Sequence, residues 1–307
     1  MSLVNAAVSE PELAFTLCDA ALLERLSGLS MPLTARDCMA ALGWRETVLP
    51  EKLADRALDR IHFGNEFCER LLPHRPQLER VVDWSVEQGL GVTLLTPMLA
   101  DRGIDLLPRL LERLPEQSEV VVNDWGVLRL LREQFPRLCP VAGRQMGKMI
   151  KDPRLPSAEW ASAIPPGMQS SLYPKLMRRF GIESAETDIR PFAEPADLQP
   201  NGLRLSVHLP YGYTLKGRIC KPGSLSLDKQ KKFMPGHSCQ KECLVYFSRM
   251  QRTGCQSPHE LPSFLRGNTI FYRHGEEQQR VLAEALQQGW VNRLVLAGDW
   301  NENRCAD

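Results

Sequence analysis

The stretch Glu119 to Gly143, EVVVNDWGVLRLLREQFPRLCPVAG, holds one complete structural unit. Val120, Val121 and Val122 form a short continuous apolar run of β-branched residues, the form a buried parallel strand takes. The run stops at Asn123-Asp124, and Asp124 stands where a helix N-cap accepts backbone N–H groups. Val127, Leu128, Leu131 and Phe135 then fall on one face at helical spacing. Pro140 to Ala142 is a second strand, closed by Gly143-Arg144. Strand, helix and strand in this order make a βαβ unit and imply a parallel sheet.

The same rhythm extends in both directions. Upstream, Phe15 to Cys18 reads as a short strand, with a helix around Ala20 to Leu26. Residues 29–59 read as two short helices split near Pro50. Arg60 to Phe63 is a strand ending at Gly64, and Leu78, Val81, Val82 and Val86 share a helical face ahead of Gly89. Val92 to Leu95 is another buried strand, and a helix follows near Leu106 to Leu114. Downstream, the spacing predicts a helix over 169–181 and strands at Ser184 to Ile189, Leu203 to Leu209 and Thr269 to Tyr272. A helix over 276–288 and a strand at Leu294 to Leu296 close the series. Seven or eight such units fit in 307 residues, which predicts an α/β fold of the (β/α)8 TIM-barrel type, with site residues at the C-terminal face of the strands. Residues 1–59 read as a partly helical N-terminal region, and residues 60–307 as the main part of a single barrel domain. Residues 145–175 and the Pro-rich 190–202 read as elaborations on it. No G-x-G-x-x-G follows a strand, and no P-loop, G-x-S-x-G or H-E-x-x-H occurs.

A net charge of +1 with 24% charged residues has no global signature of a nucleic-acid binder. No apolar run approaches the roughly 20 residues that span a bilayer. The N-terminus, MSLVNAAVSEPEL, is acidic where a signal peptide is basic. These features predict a soluble, cytoplasmic protein without a membrane span. In a reducing compartment the nine cysteines are poor material for disulfides. Cys18, Cys38 and Cys139 sit in apolar or helical context and read as structural, and Cys305 lies at the C-terminal end.

Three other cysteines are different. GRICKPGSLSLDKQKKFMPGHSCQKEC, residues 217–243, places Cys220, Cys239 and Cys243 in the pattern C-x18-C-x3-C on loop-like sequence. Arg218, Lys221, Lys229, Lys231, Lys232 and Lys241 surround them, and positive charge favours the thiolate that ligates metal. Three thiols do not close a tetrahedral site. In a barrel, sites assemble on the loops after the strands, and that rule brings Cys68, Asn123, Asp124, Arg144 and the Cys220 loop to one end. Cys68 supplies the fourth thiol on this reading, while Asn123, Asp124, Arg144 and Arg218 line a pocket beside it. Each also has a structural reading: Cys68 as a buried apolar residue, Asp124 as a helix cap, Arg144 as a surface residue, the lysines as a solvated face. Four thiolates suit zinc and iron–sulfur equally, and His237 or His259 could replace one of them in a zinc site.

Six segments in order carry a family resemblance: IHFGNEFCERL (61–71), VVVNDWGVLRLL (120–131), PVAGRQM (140–146), LKGRICKPGSL (215–225), HSCQKEC (237–243) and RGNTIFYR (266–273). They cover roughly residues 60–300, and in them the chain resembles the "collagenase-like" peptidase family U32, in particular its branch of ubiquinone-biosynthesis accessory proteins. The resemblance implies a TIM-barrel-like fold with a [4Fe–4S] cluster on Cys68, Cys220, Cys239 and Cys243; Cys255 is a spare. It further implies oxygen-independent hydroxylation of a ubiquinone precursor or an RNA base, as catalytic or accessory subunit, in a heterodimer with another U32-type protein. The alternative is a non-catalytic iron–sulfur scaffold or redox-sensing partner. No motif positions a base beside a nucleophile, so true peptidase activity is not expected. The long Cys220–Cys239 spacer and the N-terminal 59 residues depart from the family pattern.

Overall fold

The computed structural model describes residues 10–44, 49–232, 234, 237–250 and 260–299. Among these, strands form at β1 (Glu12–Leu17), β2 (Arg60–Gly64), β3 (Gly91–Leu95), β4 (Glu119–Val122), β5 (Cys139–Ala142), β6 (Ser184–Thr187), β7 (Arg204–Leu209), β8 (Tyr211–Lys216), β9 (Ser248–Met250), β10 (Ser263–Arg266), β11 (Thr269–Arg273) and β12 (Arg293–Ala297). Eight of them close into a parallel barrel in the order β1-β12-β7-β6-β5-β4-β3-β2. The chain therefore carries the (β/α)8 architecture. The unit at 119–143 forms as read: β4 pairs β5 with Glu119 opposite Cys139. The helix Trp125–Gln134 runs between them, with Asp124 accepting from the Gly126 amide at 2.6 Å.

Two expectations are corrected. The first barrel strand is β1, paired with both β12 and β2, so the barrel begins at Glu12, inside the region set apart as 1–59. The sequence shows this strand at Phe15 to Cys18, but not that it closes the barrel, because its partner β12 lies far along the chain. Thr269 to Tyr272 is not a barrel strand. It lies in β11 of a separate antiparallel sheet, order β8-β11-β10-β9, inserted between the seventh and eighth barrel strands. An apolar strand pattern reads alike in either sheet, and only the pairing partner decides between them. The helix expected near 106–114 appears as two pieces, Asp101–Leu106 and Pro108–Leu111, divided where Pro108 lacks an N–H.

Side chains alternate across each barrel strand. Leu13, Phe15 and Leu17 of β1, Ile61 and Phe63 of β2, and Leu294 and Leu296 of β12 join the main apolar core. The opposite positions face the barrel axis and are largely polar. Arg293 on β12 bonds Glu119 on β4, and His62 on β2 lies 3.5 Å from Glu186 on β6. Each of those strand pairs is four positions apart in an eight-strand ring, so these contacts cross the barrel interior. Among the described residues no helix is long and apolar enough to cross a membrane.

Candidate functional site

The insertion lies against the barrel through a small aromatic core of Phe67, Tyr211, Phe247, Phe264 and Phe271. Phe67 belongs to the loop after β2 and immediately precedes Cys68. Docking the insertion on Phe67 therefore brings Cys68 to the inserted sheet. Cys68, Cys220, Cys239 and Cys243 all line one cavity of about 430 Å³, together with Lys216, Arg218, His237, Glu242 and Asn268. Segments more than 150 residues apart meet there, as the strand-end rule required.

Two asparagines fix this junction. Asn65 accepts from the Phe67 and Cys68 amides at 2.9 and 2.8 Å. Asn268 donates to the Phe67 and Gly217 carbonyls, both at 3.0 Å, tying the two cysteine-bearing segments together. Asn268 sits with Gly267 in the two-residue turn between β10 and β11, where Gly267 adopts φ +60°. A Cβ on Gly267 would come within 3.3 Å of the Cys243 Cβ, and one on Gly223 within 2.9 Å of the Cys239 Cβ and 3.2 Å of the Cys220 Sγ. Both loops thus close on the thiols only because these positions lack a side chain. The sequence reading missed Asn65, Asn268 and Arg266, although all three lie in quoted segments, Asn65 in IHFGNEFCERL and the others in RGNTIFYR.

Burial raises the free thiols: Cys68 and Cys220 move above their ordinary value and Cys243 reaches about 12. Against this, Lys216 lowers Cys68 and Arg266 lowers Cys243, while the amides of Arg70, Leu71 and Gly223 bond the Cys68 and Cys220 sulfurs. Left alone, buried thiols hold their protons at neutral pH, and a bound cation is what would deprotonate them. The basic side chains that count are Lys216 and Arg266, and the loop lysines 229, 231 and 232 are largely exposed.

The other candidates separate. Arg218 lines the cysteine cavity itself. Asn123 and Asp124 line a neighbouring open groove that shares Met98 with it. Both are also committed to structure: Asn123 donates to the Thr96 carbonyl and accepts from the Gln145 amide, and Asp124 caps its helix and holds the Leu99 amide. Arg144 is buried rather than on the surface. It forms a bidentate pair with Glu66 and bonds Asp188 at 2.7 Å, with its guanidinium stacked over Phe67 and Tyr213. Lys151 bonds the other Asp188 oxygen at 2.7 Å. Burial opposes the Asp188 charge, but Arg144 and Lys151 outweigh it and hold the carboxyl well below the usual range.

Arg144, Glu66 and His208 face a smaller inner pocket of about 60 Å³ that also touches Cys18, Cys68 and Cys243. Cys18 therefore lines a pocket instead of serving only as filler, whereas Cys38 is buried and Cys139 bonds the Gln117 side chain at 3.4 Å. Below Glu66 lies Glu186, whose Oε2 is 2.9 Å from His208 Nε2. Burial pushes the Glu186 carboxyl up to about 8 and His208 down to about 3. His62 is held neutral by burial, so its 3.5 Å approach to Glu186 is not an ion pair. Both His62 nitrogens and Glu186 Oε1 have no hydrogen-bond partner among the described residues. Cys255, Cys305 and His259 lie outside the described residues.

No family model and no curated protein matches the chain. Among solved structures, the U32 peptidase Mk0906 is similar at 12% identity, covering 70% of this chain and 74% of that one, with a TM-score of 0.36. The C-terminal domain of a putative chitinase from Desulfitobacterium hafniense is similar at 11% identity over 96% of both chains, TM-score 0.40. A chitinase from Rhizomucor miehei is similar at 9% identity over 81% of this chain and 91% of that one, TM-score 0.34. Such distant likenesses carry no statement of activity.

Proposed function

We propose that the four-cysteine cavity binds a [4Fe–4S] cluster through Cys68, Cys220, Cys239 and Cys243, and that the chain serves an oxygen-independent hydroxylation of a ubiquinone precursor or an RNA base. The observation behind this reading is the convergence of four thiols from two distant segments on one cavity. Tetrahedral zinc, with Zn–S near 2.3 Å, draws its sulfurs to about 3.8 Å of one another. Among the described residues the one group of three ligand atoms within 4.8 Å of each other is Glu66, Glu186 and His208, so the thiols are spread wider than zinc needs. That spread and the cavity volume favour the larger body. A cluster would supply one-electron transfer. The chain's own part is to exclude water, to donate the Arg70, Leu71 and Gly223 amides to sulfur, and to offset thiolate charge with Lys216 and Arg266. Arg218, on the cavity wall, is the group best placed to meet an anionic substrate.

A second reading, a non-catalytic scaffold or redox partner paired with another U32-type protein, is favoured by one observation. Arg144, Asn123 and Asp124 are consumed by internal contacts and present no free catalytic set.

Anaerobic purification with iron, sulfide and zinc analysis tests the centre. About four iron and four sulfide per chain are expected, lost in Cys68→Ala and Cys239→Ala while far-UV circular dichroism is retained. One zinc without sulfide would overturn the cluster. Gly223→Ala is expected to lower iron content severalfold in a folded chain, because its Cβ intrudes on two ligands. Arg218→Ala, assayed in the reconstituted complex, separates the readings: lost turnover with full iron supports a substrate pocket, and unchanged turnover supports the accessory role.

A further inference from the structure

The inner pocket contains a second constellation that the cysteine reading does not use. Glu66, Glu186 and His208 are all buried and offer ligand atoms within 4.8 Å of one another. They come from the loop after β2, from β6 and from β7, so the barrel itself sets their spacing.

Two features show that this group is unfinished. Glu66, Asp188 and Glu186 supply three carboxylates, whereas Arg144 and Lys151 supply two cations, and both cations go to Glu66 and Asp188. Glu186 is the carboxyl left without a cationic partner. Its Oε1 has no hydrogen-bond partner among the described residues, and neither does either nitrogen of fully buried His62, 3.5 Å away. Orphaned buried acceptors are rare in folded proteins, because each forfeits its hydration without replacement.

We propose that Glu66, Glu186 and His208 bind a divalent cation at the barrel mouth, separate from the four-cysteine centre. Two carboxylates and one imidazole form a mixed oxygen and nitrogen donor set, which suits Mn²⁺, Fe²⁺ or Zn²⁺ rather than Ca²⁺ or Cu⁺. Arg144 does not block this. A carboxylate has about four acceptor sites, so Glu66 can keep its arginine and still ligate. The arginine then acts as the hydrogen-bonded partner that orients a ligand from behind. Glu66 and His208 line the inner pocket, which gives the ion an entry path and leaves its remaining positions open to a small oxygen ligand. The cation supplies what the mouth lacks, a partner for Glu186.

The site does not depend on a cluster in the neighbouring cavity, and its test is independent. Anaerobically purified full-length chain is titrated with Mn²⁺, followed by loss of the free ion's paramagnetic signal and by nitrogen modulation of the bound ion's spin echo. About one Mn²⁺ per chain is expected, with imidazole nitrogen coupling in the unaltered protein. Affinity stays within about twofold in Cys239→Ser and falls more than about tenfold in Glu186→Gln. His208→Gln replaces Glu186→Gln if that variant does not fold, and the nitrogen coupling needs no variant. Absence of bound Mn²⁺ at millimolar concentration means that a proton alone neutralises Glu186, and the proposal fails. It fails equally if bound Mn²⁺ shows no nitrogen coupling, if binding survives both Glu186→Gln and His208→Gln, or if Cys239→Ser abolishes it.

Discussion

The barrel interior holds two charged clusters, one at its floor and one at its mouth, built from similar residues to different ends. At the floor Arg293 bonds both Glu119 oxygens, at 2.7 and 2.8 Å, and reaches Glu12 at 2.7 Å. Thr93 adds a bond to Glu119 at 3.0 Å. Here two carboxylates face Arg293 and the nearby Arg60, and Glu12 remains about one third exposed. The charges balance and water can reach the edge. At the mouth, Asp188 is fully buried, Glu66 and Arg144 nearly so, and the set ends with an acceptor on Glu186 that no described residue satisfies. A charge-balanced cluster stabilises a plug, even with Arg60 Nε left without a partner among the described residues. One short of a cationic partner is what a fold keeps where something else is to bind.

The largest effect belongs at the mouth. Asp188→Asn leaves Arg144 and Lys151 buried with one carboxylate between them, and is expected to cost about 3–5 kcal/mol in chemical denaturation. The difference depends on pH with a definite sign. Asp188 is depressed below its ordinary 3.8, so its contribution is present above that value and lost as pH falls through the lower, folded one. The gap between the parent and Asp188→Asn should therefore narrow below pH 3.8 and stay constant from pH 5 to 7. A gap that is flat into the acid range would mean that Asp188 is not held ionised.

The floor should respond less. Glu119→Gln keeps a hydrogen-bonding side chain beside Arg293 and leaves Glu12 as counter-charge, for an expected loss of about 1.5–3 kcal/mol by the same measurement. A loss equal to that of Asp188→Asn would erase the distinction between the two clusters. The smallest effect is expected from His62→Leu. His62 is fully buried with both nitrogens unpartnered among the described residues, so removing its polar atoms forfeits no hydrogen bond seen there, and the change should stay within about 1 kcal/mol of neutral, or stabilise. A larger loss would show that His62 has a partner in solution.

Much of this could be read along the chain, for local reasons. The β4–helix–β5 unit was legible because a buried parallel strand, an Asp cap and a 3.6-residue apolar face are each set by neighbours in sequence. The meeting of four cysteines on one cavity was legible in outline, since Cys239 and Cys243 are four apart and Cys68 follows a recognisable strand. The mouth cluster was not. Glu66, Arg144, Asp188 and Lys151 lie up to 122 residues apart, on loops whose polar residues look like ordinary surface. Arg144 was expected among pocket groups; it lines the inner pocket, and chain position does not show its partners Glu66 and Asp188, which reach it from the loops after β2 and β6.

By itself the sequence determined the repeating strand–helix unit, the ends of most strands and the residues at their C-terminal face, because side-chain periodicity and backbone propensity act over a few residues. Tertiary structure alone decided the rest. It closed the barrel with β1 and placed β11 in a separate sheet, drew Cys68 to the inserted sheet through Phe67, and left Glu186 Oε1 without a partner among the described residues. Those outcomes depend on which distant groups share a low-dielectric interior, where pairing and burial are settled by three-dimensional packing and leave no local trace.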